Sequence, residues 1–383
     1  MKKLLLSMLA ISALAVTSCS SDDDSNSNNN NGDVIEGNVI TGSITEDLFV
    51  PKGDYTLKGT VLVEDGATLT IEKGSTITVT LADQATGINV LMVKQGGKLI
   101  ADGTADEPIV FTSENQSAGA SDGDWGGIVL HGRAPINGTD SNPLSEAGQL
   151  PYSGDRDTNE ETSGILRYVR VEYAGVASSD GQFEYNAFSF FACGSGTIVQ
   201  NCEAYKGADD GFEFYGGLVS ATNLIAIGME DDSIDWDQGY KGTLTNIAVY
   251  QEDNLGDFAF ELSSRKTEWN VEPRSNPIVR NVTIRGSLKA GKSAFDLKEG
   301  TAGDFGNIKV YNVEHVAFVN NQLNQVNDGS LHMTGDFDPT IALVVNNVDD
   351  TDLDSLLFTQ DATATGANMS AFGSWSHNSE LTW

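Results

Sequence analysis

Beyond its first nineteen residues the chain has no long apolar run, and it holds few prolines, three cysteines and only 22 lysines and arginines against 55 acids. Without some twenty consecutive apolar residues, nothing after the leader reads as a membrane-spanning helix. The formal charge of −33 leaves no basic surface for nucleic acid or anionic lipid, and it favours cations as partners. No CxxC or CxxH spacing marks a zinc site. The histidines, His131, His315, His332 and His377, are scattered, and no Ser/His/Asp spacing accompanies them. Apolar residues at helical spacing are also missing after the leader, which removes the helical fold classes.

What is present begins at the amino terminus. Lys2 and Lys3 precede an apolar stretch, Leu4 to Val16, too short to cross a bilayer; this is the pattern of a secretory signal peptide. The following "VTSC" resembles a lipobox, which implies cleavage before Cys19 and acylation of that residue; an ordinary cleavage site with an incidental cysteine is the alternative. Each buried methylene of an acyl chain contributes about 0.8 kcal/mol, so several chains make a firm anchor. Residues 20–38 are acidic, rich in asparagine and almost free of apolar side chains, the composition of a disordered tether. "CSSDDD" resembles the export signal of lipoproteins displayed on the outer face of the Gram-negative outer membrane, with a plain linker as the alternative. Cys193 and Cys202 then lie in an oxidising compartment, where they either pair or remain free thiols in the interior.

One phrase recurs along the chain: an apolar pair, an asparagine, then an alternating strand. It appears as "GTIVQNCEAY", "LVSATNLIAI", "GTLTNIAVY", "NPIVRNVTI" and "DFGNIKVY". Its asparagines, Asn201, Asn223, Asn246, Asn281 and Asn307, are spaced 22, 23, 35 and 26 residues apart, and the long interval holds the polar insertion 263–276. A second phrase interleaves with it: "NAFSFF", "DGFEFY", "DSIDWD", "DFAFEL" and "KSAFDL". Both alternate with the period of a strand. Short strands, a period of about two dozen residues and one asparagine per period predict an all-β, single-domain, right-handed parallel β-helix over 39–383, with a C-terminal cap. Coils of this fold stack about 4.8 Å apart. A β-propeller, with its period of about 40–50 residues, fits poorly.

The stretches "GATLTIEKGS", "GGKLIADGTADEPIVFTS", "DWGGIVLHGRAPING" and "DDGFEFYGG", with the closing "AFGSWSHNSELTW", resemble a family of bacterial β-helix surface lipoproteins and secreted repeat proteins. Members are often labelled multidrug transporters, a label no residue here supports. The resemblance spans most of 55–383 and implies a fold and a location rather than a reaction.

Aligning the second phrase on its central polar residue gives a column Ser189, Glu213, Asp235, Glu261, Asp296. Four residues earlier runs another: Asp209, Asp231, Asp257, Lys292. Alternation puts Phe212, Phe214, Ile234, Trp236, Phe260 and Leu262 inside and the central acids outside, stacked coil on coil. Like charges at that spacing repel by about 0.9 kcal/mol per pair in bulk water, and by roughly four times as much at an effective dielectric of 20. A cation, proton uptake or splaying into solvent relieves this. Oxygen ligands without histidine or cysteine suit Ca²⁺. The predicted ligands are Asp209, Asp210, Glu213, Asp231, Asp232 and Asp235, extended by Asp257 and Glu261, with Asp237 weaker; solvated acids at a coil corner are the competing reading.

"CEAYKGADDGFEFYGGLVSATNLIAIG" also resembles calcium-dependent β-helix pectate lyases, in which "DDG" and a following acid bind the metal and a lysine or arginine removes the proton beside a uronate carboxylate. Lys241, Lys266 and Lys292 are near enough in sequence, yet none falls in a matching motif, and Glu213 departs from the lyase pattern. The "GHG" and "RIK" elements of galacturonases are missing. The long insertion 132–164, with 263–276, is expected to wall a groove over the acidic face, and Tyr152, Tyr215, Tyr240 and Trp269 are candidate sugar-stacking aromatics. The sequence therefore reads as a calcium-stabilised β-helix anchored at the outer membrane and facing the cell surface, binding a glycan or another surface molecule, with partner outer-membrane proteins left open. A calcium-dependent polysaccharide lyase and a structural or adhesive surface protein are the alternatives.

Overall fold

The structure is a computed structural model, and it describes residues 35–81, 87–138, 142–153, 159–176, 183–320, 323–337, 342–346 and 354–383. The leader, Cys19 and most of the tether lie outside the described residues. The chain is a right-handed parallel β-helix whose strands join one continuous ladder; the first pair, Ile35–Glu36 with Val39–Ile44, is antiparallel.

Two strand families carry the repeat. The short strands Phe188–Phe191, Phe212–Tyr215, Ile234–Asp237, Phe260–Leu262, Ser293–Lys298 and His315–Asn320 stack in parallel. The longer strands Gly164–Glu172, Ile198–Tyr205, Ser220–Ile227, Thr243–Tyr250, Ile278–Arg285 and Gly303–Tyr311 stack beside them. Period-2 alternation sends one residue in two inward, so each coil sets its aromatic side chains on those of the next. Phe188 lies on Phe212 with centroids 4.8 Å apart, and Phe190 on Phe214 at 5.0 Å. Trp236 is fully buried, as its alternation predicts, and donates its indole N–H to Thr301 at 3.1 Å. Cys193 and Cys202 are buried free thiols, which resolves the open pairing question against a disulfide.

The long strands bend where the asparagines stand. Asn201, Asn223, Asn246, Asn281 and Asn307 all take positive φ, between 56° and 63°. Asparagine tolerates this left-handed conformation better than other side chains with a Cβ. The amides form a ladder: Asn223 donates to Asn201 at 2.8 Å, Asn246 to Asn223 at 2.7 Å, and Asn307 to Asn281 at 2.7 Å.

The C-terminal residues 361–383 are not another coil. They run back along the flank, against the direction of the helix. Thr365 and Gly366 donate backbone N–H groups to Asn307, Ala367 donates to Thr283, and Asn368 to Asn246. Further back, the His377 backbone N–H and ring Nδ1 meet the Glu203 carboxylate at 2.7 and 2.9 Å. Phe372 and Trp375 cover an apolar patch of the outer surface at Ile225, Ile227 and Ala248.

Candidate metal centre

Strand pairing sets Ser189, Glu213, Asp235, Glu261 and Asp296 directly opposite one another on consecutive coils. The same outward column starts apolar, with Met92 and Val129, and turns acidic only at Glu213. Over the apolar part lies the insertion: Ala147 and Tyr152 pack with Met92, Val129 and Phe191. The expectation of a groove over the acidic face is thus corrected at this end, because the insertion packs down on the sheet. Tyr215 bonds both Glu146 of the insertion and Glu213.

Four of the acids on this face are not solvated. Asp210 is 6% exposed, Asp232 4%, Glu213 8% and Asp296 6%. The alternative of splayed corner side chains fails for these four. Asp210 accepts the Asp232 backbone N–H at 3.0 Å, and Asp232 accepts that of Phe258 at 2.6 Å, so each aspartate ties its coil to the next with one oxygen. Asn186 donates to Glu213 at 2.5 Å.

Three triads of carboxylate oxygens lie within 4.8 Å of one another: Asp209 with Asp210 and Asp231, Asp210 with Glu213 and Asp235, and Asp232 with Asp235 and Glu261. Asp210 and Asp235 each belong to two triads, so the clusters form one continuous acidic strip. Lysines reach one end of it. Lys289 and Lys292 pair with Asp257, and Lys298 pairs with Glu261. Asp257 is held below the usual carboxylate range by Lys292 and Lys289, against the cost of its burial. Among the described residues no such ion pair reaches Asp210, Glu213 or Asp235. One Asp235 oxygen and one Asp237 oxygen are buried with no hydrogen-bond partner among the described residues.

Burial first, and then the neighbouring acids, push these groups up. Asp209 rises to about 7, through burial and Asp231. Asp210 and Glu213 rise well above the ordinary range through burial and Asp235; Asp235 does so through burial and Glu261, and Asp232 through burial and Asp210. The strip must take up protons or a cation.

The donor set suits a hard cation. Two oxygens on one Ca²⁺, each at about 2.3–2.6 Å, stand at most about 5 Å apart, and every triad meets that limit. Three carboxylates supply fewer than the six to eight oxygens Ca²⁺ takes, so carbonyls or water would complete the shell. Of the predicted ligands, Asp209, Asp210, Glu213, Asp231, Asp232, Asp235 and Glu261 enter a triad, and Asp257 instead serves as the lysine-paired end. Sequence reasoning missed Glu146, Asn186, Lys289 and Lys298. Glu146 is 69 residues from Tyr215, and no periodic signal connects them.

The sugar-stacking candidates fare differently. Tyr152 is 6% exposed, Tyr215 2% and Tyr240 0%, so none offers a ring face to a ligand. Tyr240 turns into the core, where its hydroxyl donates to the Val219 carbonyl at 2.8 Å. Trp269 alone of the four is exposed, at 39%. Of the candidate proton acceptors, Lys292 is tied to Asp257, and Lys241 and Lys266 are exposed.

A family model described as a pectate-lyase-like β-helix domain matches residues 42–380. No curated protein and no solved structure matches the chain.

Proposed function

The chain belongs to the pectate-lyase-like β-helix family, and on that premise we propose that its acidic strip is a calcium site clamping successive coils of a surface scaffold. The observation that carries this is the buried Asp235 oxygen that has no hydrogen-bond partner among the described residues, at the junction of two triads of which only one, through Glu261, is met by a lysine. A cation there offsets the repulsion and joins coils that the Asp210 and Asp232 backbone bonds already tie together. In this reading the scaffold is a lipoprotein, acylated at Cys19, held by the 20–38 tether on the outer face of the outer membrane, and it binds a glycan through its outer surface. Calorimetric titration of the full-length protein with calcium, after chelator treatment, tests the site; no heat and no shift in melting temperature at millimolar calcium would sink it. Surface labelling of intact cells, compared with a Cys19→Ala variant, tests the anchor.

Calcium-dependent lyase chemistry is the second reading, favoured by the family itself. It needs a basic group beside the metal. Lys298 stands closest to the strip, but Glu261 raises its pKa against the effect of burial and keeps it protonated. Incubation with polygalacturonate separates the two readings: ultraviolet absorbance of unsaturated product in calcium, lost in chelator, supports the lyase.

A further inference from the structure

The two long insertions do meet, but away from the acidic strip. Asn137 of the first donates its backbone N–H to the Gln238 carbonyl at 2.8 Å and its side-chain amide to the Ser264 carbonyl of the second at 2.6 Å. Gly217 donates to the Pro135 carbonyl at 3.1 Å, and Gly239 to the Ser275 hydroxyl at 3.0 Å. Between them lies a cleft of about 410 Å³ over the turns that follow the short strands. This falls in the range of small-molecule sites, about 300–1,000 Å³. Its floor depends on glycine: a Cβ on Gly239, at φ 85°, would stand 2.3 Å from the Pro273 carbonyl, and one on Gly217, at φ 75°, 2.5 Å from the Cys193 carbonyl. Backbone bonds hold both walls, so the cleft is preformed.

We propose that this cleft binds a neutral sugar of one or two rings, which rests on the reading of the protein as a glycan-binding scaffold and deepens it. Pro135, Leu218 and Pro273 present apolar surface, suited to the C–H face of a sugar ring. Around them stand an ammonium (Lys241), a carboxylate (Glu272) and an amide (Asn159), which together supply donors and acceptors for hydroxyls. Lys241 is exposed and, among the described residues, takes part in no ion pair; Glu272 is exposed and spends one oxygen on the Arg274 backbone N–H. A strongly anionic ligand would meet Glu272 and the charge of the whole chain, and a cationic one would meet Lys241. A ring of hydroxyls suits both.

The test is a printed array of neutral and acidic mono- to tetrasaccharides probed with full-length protein, followed by calorimetry on the sugars retained. Neutral sugars should bind. Lys241→Ala and Glu272→Gln, both at exposed side chains, should each weaken binding roughly five- to tenfold through one lost hydrogen bond. Leu218→Trp, which fills the cleft, should abolish it, while Asp235→Asn and chelator leave it unchanged at a temperature where the protein stays folded. Retention of acidic sugars alone, or of none, would overturn the proposal. So would binding that survives Lys241→Ala and Glu272→Gln, or that vanishes with Asp235→Asn. The calcium-dependent melting shift is read separately, so failure here leaves the clamp standing.

Discussion

Replacing Asp235 by asparagine keeps the shape of the side chain and removes one charge from the middle of the strip, and its effect on stability should change sign with calcium. At 4.8 Å and an effective dielectric of ~20, each unrelieved like-charge contact costs about 3 kcal/mol. The metal-free protein avoids part of that cost by binding protons. At Asp209 the rise from 3.8 to about 7, through burial first and the charge of Asp231 second, corresponds to roughly 4 kcal/mol. A carboxylate raised in the folded state contributes stability below its unfolded pKa and loses it as pH rises through the folded value. Through Asp209 alone, the metal-free wild type should therefore weaken progressively between pH about 4 and about 7. Above that window, in chelator, Asp235→Asn should melt a few degrees higher than wild type, a gain of about 1–3 kcal/mol. In calcium at a hundredfold excess over its dissociation constant, the wild type gains about 2.7 kcal/mol and the variant much less, so the order reverses. Melting curves followed by circular dichroism, in calcium and in chelator at two pH values, read all four states. If Asp235→Asn is the less stable protein in chelator as well, Asp235 is making a structural bond rather than suffering repulsion, and the reasoning fails.

Other outcomes follow from single contacts. Asn223→Ala removes both a donor and an acceptor from the ladder and puts alanine at φ 58°, so urea unfolding should show a loss of about 2–3 kcal/mol. His377 is raised by Glu203 in spite of burial, so its stabilising charge is present below its ordinary pKa and lost as pH rises through the raised value; hydrogen exchange in 361–383 should accelerate across that window, and His377→Ala should remove the dependence. Cys193 and Cys202, buried and with thiol pKa values raised chiefly by that burial, should react with a thiol reagent only after unfolding.

The acidic columns were legible because a β-helix turns sequence period into spatial register: Glu213 and Asp235, 22 residues apart, are direct ladder partners. The asparagine ladder was legible for the same reason. Burial was not. The strip is outward in the sense of alternation, yet covered where Glu146 comes down on Tyr215 from an insertion that has no periodicity. Tyr240 misled because it sits in a turn, where alternation gives no side, and the backbone there carries the ring into the core. Lys292 stands in the column of its partner Asp257, whereas Lys289 and Lys298 come from the following coil at other positions than their partners, so a column-by-column alignment finds the first and passes over the other two.

The returning C-terminal segment gives the molecule an order of assembly. His377 clasps Glu203 from 174 residues further along the chain, so the flank at Ile225, Ile227 and Ala248 stays bare until that segment has been made and has folded back. A chain that lacks Phe372 and Trp375 leaves an exposed apolar seam along its coils, the kind of surface that invites association or proteolysis.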